Sequence, residues 1–320
     1  MRYFILLSFF FFFFFLVFGQ CCSMGSPGSG QEGMIILPKN NLRVYSFYKH
    51  GYNETYFRQN IRLVNYGAFS HSSYDFAGLQ VGYGITNRLT IEHEMGYFFD
   101  KQIRYHDPEL DALTRSGYGM SNGLLSLHYA LWTSRTSASE LAISGGVKYP
   151  FSTDPLYVKG VQMPVELQPS TGAWGFVGRA VYSMPLGQTG YMLFFQHRFE
   201  TNSRNSYNYK YGSAHQTSVS FGIPLLSNAM ATLQVRNEYR TSDITPTAAR
   251  LASEGNNLVY FTPTIGYLLP GEINLAVFAD IPVYKYYFGE QLSHQFAAGV
   301  SITRNFSLQK KPALPDQRNL

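Results

Sequence analysis

Apolar and polar side chains alternate with a period of two along most of the chain from about residue 42 onward. This period is typical of β-strands whose two faces meet different surroundings, and no helical periodicity of useful length competes with it. The segments 190–201, 229–240 and 291–303 show it well. The clearest segment, 139–149, has two distinct faces, Leu141, Ile143, Gly145, Val147 and Tyr149 against Glu140, Ala142, Ser144, Gly146 and Lys148.

The alternation predicts about twelve strands. Most of them have ten residues or more, whereas strands of globular proteins have about five or six. About ten residues is the length that a tilted strand needs to cross the hydrocarbon layer of a membrane. The predicted strands are 42–49, 73–84, 89–99, 119–132, 139–149, 171–184, 190–201, 213–223, 229–240, 256–268, 272–284 and 291–303.

The links between these strands alternate in length. Short turns are predicted at 85–88, 133–138, 185–189, 224–228 and 269–271. Longer, more polar links are predicted at 50–72, 100–118, 150–170, 202–212 and 241–255, and only the last link, 285–290, breaks the rhythm. Tight turns at one end and long loops at the other are typical of outer-membrane barrels, and a soluble β-sandwich has no reason to sort its loops in this way.

These patterns predict an all-β fold, a transmembrane antiparallel up-and-down β-barrel over 42–306, followed by a polar tail at 307–320. The expected location is the outer membrane of a Gram-negative cell, where a monomeric barrel contacts outer-membrane lipid. An even number of strands places both ends of the barrel on the periplasmic side. Tyr and Trp side chains lie toward the predicted strand ends, as in aromatic girdles at the membrane surfaces; these are Tyr83, Tyr97, Tyr129, Trp132, Tyr149, Trp174, Tyr182, Tyr191 and Tyr267.

Composition agrees with a membrane barrel. Only 14% of the 320 residues are charged and 17% are aromatic, whereas a soluble domain carries about 25% charged residues. The formal net charge of +5 is spread along the chain, which argues against a nucleic-acid surface.

The N-terminus predicts export. Residues 1–19 have a positive start, an apolar core and small residues before a cleavage point, which indicates a cleaved signal peptide. An uncleaved anchor is the alternative. The small, Gly/Ser-rich segment 20–41 would then begin in the periplasm, where we expect it to form a partial plug in the barrel mouth.

Two positions fit the barrel poorly. His93 falls on the face predicted to meet lipid, and Pro263 lies within a strand, where it removes a hydrogen bond and indicates a bulge.

Ionisable side chains predicted to face the interior are the candidate site. Acids and bases are nearly balanced among them, and two interpretations stay open: ion pairs that fill the interior in place of a hydrophobic core, or a constricted polar path that orients a small solute. The candidates are Glu92, Glu94, Glu140, Lys148, Arg179, Arg198, Glu200, Arg236, Glu238, Arg240 and Asp280.

Catalytic and metal signals are weak. Ser126 and His128 share one face of a strand, but no nucleophile elbow or oxyanion loop accompanies them, so no enzyme activity and no cofactor is predicted. No histidine pattern indicates a fixed metal site. Cys21, Cys22 and Met24 leave copper or zinc handling as a minor alternative.

Two stretches resemble known outer-membrane proteins. The stretch Cys21–Pro27 directly after the signal is similar to the start of barrel proteins of Bacteroidetes-type bacteria. The hairpin Leu79–Ile91, with Tyr83-Gly84-Ile85-Thr86-Asn87-Arg88-Leu89 at its turn, resembles a recurrent hairpin of the family described as the outer-membrane component of the phenol meta-degradation pathway. This resemblance implies an outer-membrane location and a transport-like barrel.

The functional prediction is a channel for passive passage of a small solute, apolar or aromatic in character. The alternatives are a non-transporting barrel with a structural, adhesive or partner-docking role, metal handling, and an outer-membrane lipase that uses Ser126 and His128.

Overall fold

The computed structural model describes residues 36–64, 66–67, 69–105, 114–134, 137–187, 190–251 and 254–308. The predicted signal peptide, Cys21, Cys22, Met24 and most of the tail lie outside the described residues. Within them, β-strands dominate and one 3-10 turn occurs at Val165–Leu167. No helix of the described residues is long and apolar enough to span a membrane.

Fifteen strands are present in the described residues. Two short ones, β8 and β9, form a separate hairpin within a loop, and the other thirteen belong to one sheet. The strands are β1 (Asn41–Gln59), β2 (Ile61–Leu63), β3 (Phe69–Gly84), β4 (Leu89–Tyr105), β5 (Thr114–Met120), β6 (Gly123–Thr133), β7 (Glu140–Tyr149), β8 (Tyr157–Val158), β9 (Val161–Gln162), β10 (Gly175–Pro185), β11 (Met192–Asn202), β12 (Ala214–Leu226), β13 (Ala229–Arg240), β14 (Asn256–Leu269) and β15 (Ile273–Ser307).

The large sheet closes on itself. Its strands follow the order β15-β14-β13-β12-β11-β10-β7-β6-β4-β3-β1, and β15 also pairs with β1. At this seam Asn41 lies opposite Ser307 and Phe47 opposite Ser301. β2 pairs with β1 and β5 pairs with β4, so these two strands lie off the ring. The all-β closed antiparallel barrel predicted from the sequence is therefore confirmed.

The ring has eleven strands rather than the predicted twelve, and β15 is the reason. Residues up to Tyr287 pair with β14, residues from Tyr287 onward pair with β1, and both pairings are antiparallel. An odd number of alternating strands cannot close with antiparallel pairs alone, so the chain must reverse within β15. Gly289, with a φ of 62°, lies at this point, and left-handed backbone is readily adopted by glycine. The predicted link 285–290 is continuous strand.

Both ends of the barrel wall lie on the same side, beside the tight turns. We call this side the turn end and the opposite side the loop end. The turn at Ile85–Arg88 is present as predicted. At the loop end the predicted links were too long, because β1 continues to Gln59 and β4 to Tyr105. The predicted strand 119–132 is interrupted between β5 and β6.

Alternate side chains of the wall face outward and inward. Along β6, Leu125, Leu127 and Leu131 are about half exposed, whereas Ser126 and His128 are buried. The same alternation in β13 exposes Leu233 and Val235 and buries Gln234, Arg236 and Glu238. The outward faces are therefore apolar and the inward faces polar, as a membrane barrel requires.

The two awkward positions have local explanations. His93 is on the outward face, and its Nε2 lies 2.6 Å from the Tyr149 hydroxyl with the two rings stacked. At Pro263 the ladder toward β15 lapses, since Phe261 pairs with Ile281 and the next pair is Thr264 with Phe278. This gap follows from the missing N–H of proline. The register is the same on both sides of the gap, so the predicted bulge at Pro263 is wrong; the register shift of β14 lies between Val259 and Tyr260.

Candidate functional site

Inward-facing charged side chains form two separate clusters of ion pairs inside the barrel. The first ion cluster joins side chains of β1, β4, β7, β10 and β11, namely Arg43, Glu92, Arg179, Glu94, Arg198, Glu200 and Lys148. The second ion cluster joins β1, β13 and β15 through Lys49, Asp280, Arg236 and Glu238.

The first ion cluster crosses the interior of the barrel. Arg179 lies 2.9 Å from Glu94 and 3.9 Å from Glu92, although β10 and β4 are not neighbours in the sheet. Arg198 lies 3.5 Å from Glu94 and 3.6 Å from Glu200. These pairs connect β4 with β10 and β11, strands that are three and four positions apart in the ring, so the side chains of the cluster extend into the lumen.

The second ion cluster is compact and nearly inaccessible. The Asp280 side chain is 1% exposed and forms ion pairs with Lys49 Nζ at 2.8 Å and Arg236 Nη2 at 3.2 Å. It also accepts a hydrogen bond from the Thr262 hydroxyl at 2.6 Å. Arg236 also donates to Glu238 at 2.9 Å. Two bases and two acids balance, so this part of the interior is electrically neutral.

Two of the eleven sequence candidates lie outside these clusters. Arg240 pairs at 2.7 Å with Asp243, which belongs to an outer loop. Glu140, half-buried at the turn end, forms a hydrogen bond with the backbone of Ile36. Sequence reasoning missed Arg43 and Lys49. Both lie on the inward face of β1, and alternation with a period of two could have shown this. The residues between them on that face, Tyr45 and Phe47, are aromatic, so the face did not appear polar.

An aromatic cluster occupies the part of the interior that β1, β3, β4 and β15 enclose. Its six side chains are buried, and the Phe76 and Phe98 rings lie 4.7 Å apart. Phe76 also covers Gly96, where a Cβ atom would lie 2.1 Å from the ring. Glycine in the wall therefore makes room for the ring. The cluster consists of Tyr45, Phe47, Tyr74, Phe76, Phe98 and Phe278.

The loop that contains β8 and β9 folds into the barrel at the loop end. Leu167 is 1% exposed, and its carbonyl oxygen lies 2.1 Å from where a Cβ atom of Gly117 would be. Asn122, in the break between β5 and β6, donates to Thr171 Oγ1 at 2.8 Å and accepts from the Thr171 N–H at 2.9 Å. The interrupted wall is thus the anchor of the inserted loop.

The loops after β11 and β13 are also joined to each other. Buried Asp243 accepts hydrogen bonds from the Tyr209 hydroxyl, the Gly212 N–H and Arg240, each at 2.7 Å. Burial and the neighbouring carboxylate raise the pKa of Tyr209, so its hydroxyl keeps the proton that it donates. Asn205 connects these loops to the inserted one through a hydrogen bond to the Thr171 carbonyl at 3.3 Å. These hydrogen bonds therefore connect three loops at the loop end.

The chain before β1 enters the turn end. Ile36 packs against Ala130 and Ala142 on the inward face, and the Leu37 N–H donates to Thr90 Oγ1 at 2.8 Å. A Cβ atom on Gly84 would lie 2.1 Å from the Pro38 carbonyl oxygen. Small side chains of the wall therefore form a seat for 36–38.

Cavities remain between these obstructions. One of about 250 Å³ lies at the loop end beside Tyr74, Phe98 and Leu167. Another of about 160 Å³ follows it toward the middle, beside Phe98, Lys148 and Glu200. A third of about 60 Å³ lies nearer the turn end, beside Thr232 and Thr264. The interior is therefore not packed like a globular core.

Ser126 and His128 do not have the geometry of a hydrolase triad. Ser126 Oγ lies 2.9 Å from His128 Nε2, and Glu92 lies 3.5 Å from the same nitrogen. In a triad the acid contacts the other nitrogen, Nδ1, which in His128 is buried without a hydrogen-bond partner among the described residues. Among the residues that the structure describes, no three His, Cys, Asp or Glu side chains lie close enough together to hold a metal ion.

No protein-family model matches the sequence, and no curated protein matches it. Among solved structures, the chain is similar to the COG4313 outer membrane channel from Pseudomonas putida F1, with 12% identity and a TM-score of 0.67 over 84% of this chain and 97% of that one. It also matches the translocator domain of the autotransporter NalP from Neisseria meningitidis, with 8% identity and a TM-score of 0.47 over 87% and 91%. A Pseudomonas aeruginosa FadL homologue matches with 8% identity and a TM-score of 0.44 over 83% and 90%.

The similarity to the COG4313 channel concerns the fold. The chain shares the closed β-barrel fold of that channel, and at such low identity the comparison assigns it neither a role nor a substrate.

Replacement of Glu94 by Gln should destabilise the barrel by about 3–5 kcal/mol, because both Arg179 and Arg198 would lose a buried partner. The control is Glu272→Gln, an exposed position in the turn before β15, which should change stability by less than about 0.5 kcal/mol. Urea unfolding of the two variants in lipid vesicles measures the difference. Equal stabilities would contradict the structural role of the first ion cluster.

Proposed function

We propose that the protein is an outer-membrane channel through which a small solute, apolar or aromatic in character, passes by diffusion. The observation that carries the proposal is the combination of an unpacked interior and a polar inward face. A barrel with only a structural role has no need for cavities of about 250 and 160 Å³ along its axis. The predicted signal peptide and the apolar outward faces support an outer-membrane location.

The arrangement of the interior suits a selective channel better than an open pore. The ion clusters hold their charges in fixed pairs, so they form a polar constriction without a large net field. The aromatic cluster lies beside this constriction and offers apolar contact to a solute. The same features agree with the resemblance of the Leu79–Ile91 hairpin to the phenol meta-degradation family. Membership of this chain in that family is part of the proposal.

Segment 20–41 completes the proposal as a plug of the turn end. The contacts of residues 36–38 with the inward face of the wall support the plug, because they already narrow the mouth at the turn end. These contacts are made with Gly84, Thr90, Ala130 and Ala142.

The second candidate function is a non-transporting barrel that docks a partner or has a structural role. The loops at the loop end favour this second function, because hydrogen bonds of Asp243 and Asn122 hold them together into one surface. Metal titration of a Cys→Ser variant tests metal handling by Cys21, Cys22 and Met24. Ester hydrolysis with Ser126→Ala tests lipase action by Ser126 and His128.

Liposome swelling distinguishes a channel from a non-transporting barrel. We expect vesicles that contain the protein to swell in small neutral solutes, apolar or aromatic alcohols included, faster than protein-free vesicles. Sugars larger than the cavities should not enter. Permeability equal to that of empty vesicles for every solute would exclude the channel and favour the docking role.

The plug predicts that shortening the N-terminal segment opens the turn end. Deletion of residues 20–38 from the exported protein should raise the single-channel conductance in a planar bilayer several-fold, because the seat on Gly84 becomes empty. Leu37→Ala is the matched milder change and should have a smaller effect. An unchanged conductance after the deletion would remove the plug from the proposal.

A further inference from the structure

The cavity of about 60 Å³ at the turn end differs in chemistry from the rest of the lumen. The described residues that line it belong to β13, β14 and β15, and no ionisable side chain is among them. Hydroxyl and amide groups form the polar part of the wall, and the other lining residues are apolar. The polar lining consists of Thr232, Gln234, Thr262, Thr264 and Asn274.

Exposure rises along this wall toward the turn end. Thr262 and Gln234, at the inner end of the cavity, are 1% and 4% exposed. Their neighbours Thr232 and Thr264 are register partners one step nearer the turn end, and Thr264 is only half-buried. Asn274, beside the turn that precedes β15, is exposed. The cavity is therefore open toward the turn end, and its outer part is accessible without passing the buried residues.

Residues 36–38 fill the other side of the same mouth. Ile36 and Leu37 are 4% and 6% exposed, and the wall residues that 36–38 contact belong to β3, β4, β6 and β7. In the ring, β10–β12 separate these strands from β13–β15 on one side, and β1 with the second half of β15 separates them on the other. The mouth at the turn end thus has a filled half and an open half.

The second ion cluster lies at the inner end of the open half. Arg236 Nη1 donates to Gln234 Oε1 at 3.0 Å, and the Thr262 hydroxyl donates to Asp280 at 2.6 Å. Arg236 also binds Glu238, which lines the cavity in the middle of the lumen. The cluster therefore separates the two cavities, and a solute that moves from one to the other has to pass it.

Both the cluster and the cavity favour an uncharged solute. The two bases and two acids of the cluster bind one another, so the cluster as a whole offers a permeating ion no net counter-charge. An ion among hydroxyl and amide groups in a narrow passage loses hydration without gaining an opposite charge. A neutral solute avoids this cost, and threonine offers it a hydroxyl for hydrogen bonds and a methyl group for apolar contact.

We propose that the open half of the turn end is the route by which solute passes between the lumen and the turn-end side, and that this route admits uncharged solutes in preference to ions. We call it the threonine lane, defined by its polar lining residues Thr232, Gln234, Thr262, Thr264 and Asn274. The inference rests on the proposed channel function, and it adds the side of the barrel that the solute follows and the residues that disfavour ions.

Cysteine modification tests the route. With Cys21 and Cys22 replaced by Ser, Thr264→Cys is compared with Ile265→Cys, whose side chain lies on the outward face and is 56% exposed. The full-length variants are reconstituted in vesicles that carry a trimethylammonium methanethiosulfonate inside and outside. We expect modified Thr264→Cys vesicles to lose most of their swelling rate in glycerol, because the attached group occupies a cavity of about 60 Å³. Ile265→Cys vesicles should swell as before.

A second cysteine variant tests whether the other half of the mouth is closed. Ala142 is 1% exposed and packs against Ile36, so the thiol of Ala142→Cys should not react in the full-length protein. After deletion of residues 20–38 it should become reactive. Mass spectrometry measures the extent of reaction. Equal reactivity of Ala142→Cys and Thr264→Cys in the full-length protein would overturn the one-sided route.

A charge in the lane tests the preference against ions. Thr264→Asp is compared with Thr264→Asn, which has nearly the same size and no charge, in planar bilayers under a gradient of KCl. The Asp variant should raise the ratio of potassium to chloride permeability several-fold, because one fixed charge dominates a narrow passage that is otherwise uncharged. The Asn variant should match wild type. Equal reversal potentials for the two variants would contradict the proposal.

Failure of this inference is distinguishable from failure of the channel. If vesicles swell in glycerol but complete modification of Thr264→Cys leaves the rate unchanged, the channel stays and the threonine lane is not its route. A Thr264→Cys protein that permits swelling but does not react would overturn the lane as well, because the cavity would then not be accessible. If wild-type vesicles do not swell at all, the channel itself fails and this inference fails with it.

Discussion

Closure of the sheet is the constraint on which the whole structure depends. Within a lipid bilayer no water satisfies the backbone N–H and C=O groups, so a sheet with open edges is not tolerated there. The pairing of β15 with β1 removes both edges. The wall is long at this seam, since β1 has 19 residues, and closure forces the chain to reverse within β15. The two halves of β15 run in opposite directions, one paired with β14 and the other with β1. The tight reversal near Gly289 is therefore a consequence of closure by antiparallel pairs alone.

Closure also creates an interior that the chain must fill without a conventional core. The inward faces carry ion pairs and aromatic rings, and the two kinds of contact are complementary. Ion pairs such as Arg179 with Glu94 reach across the lumen, where no backbone pairing connects the strands. Aromatic rings such as Phe76 pack over glycine in the adjacent strand. Because neither kind fills the space completely, cavities remain between the inserted loop and the seat of Ile36.

Much of the fold was predictable from alternation, because the wall repeats one simple rule. The segment 139–149 showed which side chains face outward, and β7 has this arrangement, with Ile143 exposed and Ala142 buried. The extension of β1 and β4 at the loop end was not predictable, since polar strand residues resemble loops in sequence. The merged β15 was missed because 285–290 separates two alternating segments, and the alternation does not show that the backbone stays extended through it.

The candidate site was predictable only as a set of residues. Alternation placed the charged residues on one face, but their partners depend on the diameter and register of the closed barrel. Lys49 and Asp280 are 231 positions apart and meet only because β1 follows β15 in the ring.

A disulfide across the seam tests closure most directly. Ser46 on β1 and Ile302 on β15 are register partners, and antiparallel partners have Cα atoms about 4.5–5.5 Å apart, within disulfide range. With Cys21 and Cys22 replaced by Ser, the variant Ser46→Cys/Ile302→Cys should oxidise to a cross-linked monomer in membranes, whereas Ser46→Cys/Ala298→Cys, four residues out of register, should not. Absence of the first cross-link, or equal yield of both, would contradict a closed barrel with this seam.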